Sequence, residues 1–230
     1  MDFISRDRAV LAVIDVQERL LGAIPEDRRT TLVRNVLIAI DAAQILNIPI
    51  IVSEQYPKGL GPTIPEIRER LGDGFSPVEK LVFSCGRSTE FRAALDATNR
   101  REVIVCGVES HVCVFQTALD LMNDGYRVHV PADGIASRRV LDWERAVALM
   151  EDAGAIVGTI EMFLFQLLER ADPHAVGHAP TGDMGRLQSF EEFLSRCAEV
   201  DSAAHMRGDS VLKAARREDA DHDHFFHFDR

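Results

Sequence analysis

Three side chains in this sequence could act together on an electrophile: Cys113, Asp15 and Lys80. A thiol becomes a strong nucleophile when a base takes its proton, and the same base can return that proton to a leaving group. Aspartate can serve as that base, but its negative charge opposes the formation of a thiolate beside it. A lysine ammonium offsets the repulsion. The chemistry open to the trio is attack of sulfur on a carbonyl carbon, followed by hydrolysis of the resulting acyl-enzyme. Each residue also has an ordinary structural reading. Free cysteine is commonly a small buried hydrophobe, aspartate often caps a helix, and lysine on an edge strand discourages strand pairing.

The elements that must position these residues can be read from hydrophobic periodicity. Cys113 lies in VIVCGVESHVCVFQTALDL, residues 103–121. Val103, Ile104 and Val105 open it as a buried strand, Gly107 marks a turn, and Val112, Phe115, Ala118 and Leu119 recur at helical spacing. Cys113 thus falls in the first turn of a helix, where free N–H groups and the helix dipole are expected to ease thiol ionisation and to hold an oxyanion. Asp15 ends the apolar run AVLAVI, which reads as a strand buried on both faces of a parallel sheet. Lys80 sits inside a third strand expected over residues 78–83. A lysine buried there is costly unless paired, and Asp15 is its natural partner.

Between these strands the pattern alternates regularly. Helices are expected over residues 26–46, 90–98, 140–152 and 161–168, with further strands over 48–52, 126–130 and 155–157. Ser88 and Thr89 offer a cap for the second of these helices. The alternation predicts an α/β fold: a doubly wound parallel sheet of about six strands with helices on both faces and right-handed crossovers. Open sheets of this type carry their chemistry at the carboxyl edge. The loop SEQYPKGLGPTIPEI follows the second strand at that edge, and Gln55 and Tyr56 are its candidate substrate contacts.

Composition narrows the class. The 230 residues suit one large domain or one domain plus an appendage, and a net charge of −11 makes nucleic acid and anionic membranes poor partners. No apolar run reaches transmembrane length, and the first residues lack a signal-peptide pattern. The four cysteines form no C-x-x-C pair and suit a reducing compartment, so a cytoplasmic location is expected. The catalytic-type domain is placed at residues 1–170, a Pro-, Gly- and His-bearing linker at 171–186, and a short amphipathic helix with a polar tail at 187–230. His222, His224 and His227 of that tail could ligate a metal, but tail docking through Phe225, Phe226 and Phe228, or disorder, fits their spacing better.

The motifs LAVIDVQ around Asp15, VEKLVFS around Lys80 and CGVESHVC before Cys113 jointly resemble the isochorismatase-like cysteine hydrolases over about residues 8–168. SEQYPKGLGPT points to the isochorismatase-domain-containing subgroup. The resemblance implies a Rossmann-like isochorismatase fold and a role for each matching position. Cys113 would attack the carbonyl, Asp15 would act as general base and then acid, and Lys80 would support both electrostatically. It also implies a non-proline cis peptide at Val108–Glu109, aiming the Glu109 N–H beside that of Cys113 as the oxyanion hole, with Gln17 facing the pocket. The Asp-x-His motif and further histidine that bind metal in nicotinamidases have no counterpart here, so no metal and no other cofactor is expected. The expected partners are a small-molecule substrate and further copies of the chain, as a dimer or tetramer.

The reading of function that follows is hydrolysis of a small C–N bond, amide or carbamoyl. Three alternatives stay open: a binding or scaffold protein on the same fold, an isochorismate-type vinyl-ether hydrolase using the aspartate as acid, and a redox role for Cys113.

Overall fold

A computed structural model describes residues 2–169. The three-part division expected from the sequence, with its boundary near residue 170 and the histidine-bearing tail, lies outside the described residues. The described chain forms a seven-stranded sheet in which every pairing is parallel. In chain order the elements are β1 (Ala9–Ile14), α1 (Glu18–Gly22), α2 (Glu26–Ile45), β2 (Ile50–Gln55), α3 (Pro57–Leu60), α4 (Pro65–Leu71), β3 (Val78–Lys80), α5 (Thr89–Ala97), β4 (Glu102–Val108), α6 (Phe115–Asn123), β5 (Arg127–Pro131), β6 (Ile135–Ala136), α7 (Val140–Asp152), β7 (Ile156–Gly158) and α8 (Ile160–Leu168). The strand order is β3-β2-β1-β4-β5-β7, with the two-residue β6 beside β4. That seventh strand is one more than the periodicity predicts, because two residues carry no periodic signal.

The order reverses direction around β1 and β4, which pair over six residues from Ala9–Glu102 to Ile14–Gly107. Both strands are buried along their whole length, as expected for central strands covered by helices on two faces. Their carboxyl ends therefore emerge side by side. Gly107 allows this closeness: it has φ 144°, and a Cβ placed on it would lie 2.1 Å from the Ile14 carbonyl oxygen. No L-residue with a side chain fits there without moving one strand.

One apolar core layer joins Val10, Ala12, Ile14, Val103 and Val105 of the central strands to Phe91 and Leu95 of α5, Ala118 and Leu121 of α6, and Met150 of α7. Full burial of side chains such as Phe91 and Leu121 stabilises the fold by about 1.5–3 kcal/mol each. Ser88 caps α5, its hydroxyl accepting from the Phe91 N–H at 3.3 Å, where the sequence places a cap. No helix among the described residues is long and apolar enough to cross a membrane.

Strand β3 ends at Lys80, three residues before its expected end. Leu81, Val82 and Phe83 read as strand because they are apolar, yet their side chains are exposed. The Phe83 carbonyl turns inward to accept from the Lys80 ammonium at 3.1 Å. The ammonium's need for acceptors outweighs β propensity over these residues.

Candidate active site

Asp15 follows β1 in the left-handed region, φ 54°. Its carboxylate is fully buried between the ends of β1 and β2. Lys80 Nζ donates to Asp15 Oδ2 at 2.7 Å, and neither side chain reaches solvent. The ammonium also donates to Gln55 Oε1 at 2.7 Å and to the Phe83 carbonyl. An ammonium has three N–H donors, so Lys80 is satisfied within the protein. Burial acts to discharge it, but the Asp15 carboxylate and the adjoining thiols Cys85 and Cys113 outweigh burial, and Lys80 is held above its usual pKa.

The other Asp15 oxygen, Oδ1, accepts from the Ser53 hydroxyl at 2.7 Å. Ser53 is opposite Ile14 in the β1–β2 register, so backbone pairing and side chain fix the same point. The Ser53 oxygen also receives the Cys85 thiol at 3.4 Å, and Cys85 is anchored through its N–H to Thr117 Oγ1 of α6 at 2.8 Å. Neither Ser53 nor Cys85 stands out in the sequence: a serine within an apolar strand and a cysteine in a loop have no spacing that marks them.

Cys113 lies in a π-helical turn, Ser110–Val114, that leads into α6. Such turns insert an extra residue per turn and recur at functional sites. The Cys113 thiol adjoins Asp15 and Lys80, close enough for both charges to act on it, and the residue is 4% exposed. Its pKa is raised, first by burial and then by the Asp15 charge, with Lys80 opposing. The ionised thiol expected at a helix start is therefore not the resting form. Desolvation and the neighbouring carboxylate outweigh the ammonium, because the ammonium is already committed to that carboxylate.

The turn before Cys113 departs from expectation in a second respect. No peptide bond among the described residues is cis, so Val108–Glu109 is trans. Glu109 instead makes the turn by adopting φ 57°, ψ 64°, the left-handed conformation, which gives the chain its reversal without isomerisation. The Glu109 side chain points away to Arg138 Nε at 2.9 Å, and its other oxygen lies 3.4 Å from His111 Nδ1. His111 Nδ1 is also 3.0 Å from the Ser137 hydroxyl. Ser110 keeps a buried hydroxyl with no partner among the described residues.

The three candidate substrate contacts divide. Gln17 is fully buried, donates to the carbonyls of Gln55 (3.0 Å) and Gly61 (2.6 Å), and accepts from the Gln55 N–H (2.7 Å). It clasps the loop after β2 to the end of β1. Gln55 holds Lys80 and donates to the Leu81 carbonyl at 2.9 Å. Tyr56 alone of the three is half exposed, with φ 39°. Among the described residues no three His, Cys, Asp or Glu side chains are grouped to hold a metal ion.

The arrangement brings a neutral thiol beside a hydrogen-bonded carboxylate and ammonium at the carboxyl edge of the sheet. Comparison with known proteins gives a consistent context. The isochorismatase domain model matches residues 9–162. Isochorismatase domain-containing protein 2 from Danio rerio is 36% identical over 168 residues, covering 73% of this chain and 83% of the relative. The structure of the MAR1 ribonuclease from Caenorhabditis elegans is 35% identical, with a TM-score of 0.70 over 80% of this chain and 97% of its own. YcaC from Escherichia coli, an octameric hydrolase of unknown specificity, is 22% identical with a TM-score of 0.71, covering 88% of this chain and 98% of its own; it shares the fold.

Proposed function

The chain belongs to the isochorismatase family and has the fold of its cysteine hydrolases, and from that premise we propose that it hydrolyses a small-molecule amide or carbamoyl C–N bond through an acyl-enzyme on Cys113. The single observation that carries this reading is the juxtaposition of the three groups: the Asp15 carboxylate, 2.7 Å from the Lys80 ammonium, also acts on the adjoining Cys113 thiol.

The thiol rests protonated, so the proton passes to Asp15 as sulfur closes on the carbonyl carbon, rather than beforehand. Lys80 offsets the charge that appears on sulfur. The carbonyl oxygen becomes an oxyanion, for which the Cys113 N–H in the turn leading into α6 is the candidate donor. Asp15 then gives its proton to the departing nitrogen, the C–N bond breaks, and a thioester remains. Water attacks the thioester with Asp15 again taking a proton, the carbon–sulfur bond breaks, and the proton returns to sulfur. Tyr56, exposed beside this edge, and the unpartnered Ser110 hydroxyl are the groups a substrate would meet. A cysteine that is 4% exposed suits a small substrate.

The ribonuclease named among the relatives raises a polyanionic substrate as another possibility. A net charge of −11 disfavours it, and a small neutral amide fits the charge better. The test is a screen of small amides, carbamoyl compounds and hydroxamates. Wild type is expected to turn over at least one, and Cys113→Ala to lose about a thousandfold or more. Full turnover by Cys113→Ala overturns the assignment.

A further inference from the structure

We propose that Ser53 is a positioning residue for the base: its hydroxyl, backed by the Cys85 thiol, orients the Asp15 carboxylate for transfer of the Cys113 proton. The inference rests on the reading of Cys113 and Asp15 given above and assigns function to two residues which that reading leaves idle.

The direction of each hydrogen bond in the chain follows from donor inventory. A carboxylate has no proton to give, so the single Ser53 hydroxyl proton points to Asp15 Oδ1, at 2.7 Å. The Ser53 oxygen is then left with lone pairs alone, and the Cys85 thiol at 3.4 Å donates to one of them. Cys85 stays protonated for this role. Burial pushes its pKa up to about 11, with Lys80 opposing. The order is therefore Cys85 to Ser53 to Asp15, all three fully buried.

This fixes the geometry of the base. With Ser53 on Oδ1 and Lys80 on Oδ2, the carboxylate plane is clamped from two directions. A carboxylate so held presents its remaining lone pairs to the thiol without having to find them by rotation, which is how hydrogen-bonded support groups improve a first contact. Removing the hydroxyl should leave Oδ1 without its donor, so that the carboxylate plane can turn away from the thiol.

The readout is alkylation of Cys113 by iodoacetamide, mapped by mass spectrometry across pH 3–9, which needs no knowledge of the substrate. Asp15→Asn is expected to slow alkylation, since the base is then gone. Ser53→Ala should slow it about tenfold at an unfolding midpoint close to that of wild type. Ser53→Thr keeps the hydroxyl and should stay close to wild type; Cys85→Ala removes only the backing donor and should slow the reaction less than Ser53→Ala does. A merely structural serine would lower the unfolding midpoint without slowing alkylation. An unchanged rate in Ser53→Ala, or equal losses in the alanine and threonine variants, overturns the assignment of Ser53 alone. An unchanged rate in Asp15→Asn overturns the Asp15 base reading and Ser53 with it.

Discussion

Two buried carboxylates sit at opposite ends of the paired central strands, and their surroundings differ in kind. Glu102 opens β4 at the amino edge. Its Oε1 accepts from Arg8 Nε at 2.9 Å and Arg127 Nη1 at 3.0 Å, and its Oε2 from the Ser5 N–H at 3.0 Å. Asp15 follows β1 at the carboxyl edge and accepts from one ammonium and one hydroxyl, with the Cys113 thiol adjoining. Guanidinium protons do not leave at any pH a protein survives, so Glu102 is locked as a structural anion tying the N-terminal segment to the sheet. The thiol proton can leave, and the carboxylate that accepts it has a single cation to balance two negative charges in turn. One site is saturated and inert; the other is kept one exchangeable proton short of saturation. The difference between an anchor and a candidate base lies in the partners, since both are equally removed from water.

That contrast can be broken most severely at Lys80. Lys80→Met leaves Asp15 as an unpaired buried charge and should destabilise the protein by about 3–5 kcal/mol, read as a fall in the urea midpoint at pH 7. Combining it with Asp15→Asn should recover part of the loss, because the uncompensated charge is then gone. Glu102→Gln should cost less, about 2 kcal/mol, since Arg8 and Arg127 are 54% and 34% exposed and water can take over their charges. The same variant should leave the pH profile of Cys113 alkylation unchanged. A changed profile would mean the two carboxylates are coupled along the strands.

The smallest expected effect sharpens the amino edge further. His129 is fully buried, its Nε2 is 3.9 Å from Glu102, and its ring packs edge-on to Phe163. Burial lowers its pKa from 6.5 to about 4, with Glu102 opposing. Below pH 6.5 the unfolded chain therefore takes up a proton that the folded one refuses, and stability falls as pH drops from about 6.5 toward 4. Between pH 7.5 and 5.5 the loss should be about 1 kcal/mol. Denaturation curves of His129→Phe should lose that part of the pH dependence; an unchanged slope would assign it elsewhere.

What was legible in the sequence was whatever repeats or whatever costs energy when left alone. The runs 9–14 and 140–152 coincide with β1 and α7, because burial imposes period and capping. Lys80 was legible for the second reason: an ammonium inside an apolar strand demands a carboxylate, and Asp15 meets it. Residues whose meaning depends on one specific neighbour left no such trace. Ser53, Cys85 and the clasp made by Gln17 are of this kind, since each needs the fold before its partner exists. The state of the Cys113 thiol was likewise not readable, because its helix position and its burial act in opposite directions and only the structure weighs them.

At Gly107 the backbone of β4 lies directly against the Ile14 carbonyl of β1. The separation of base and sulfur is set by how tightly two backbones nest, at a point where neither reacting residue is touched. A single added methyl at Gly107 would wedge the strands apart and widen the gap between thiol and carboxylate, detuning the chemistry without altering any residue of the reacting set.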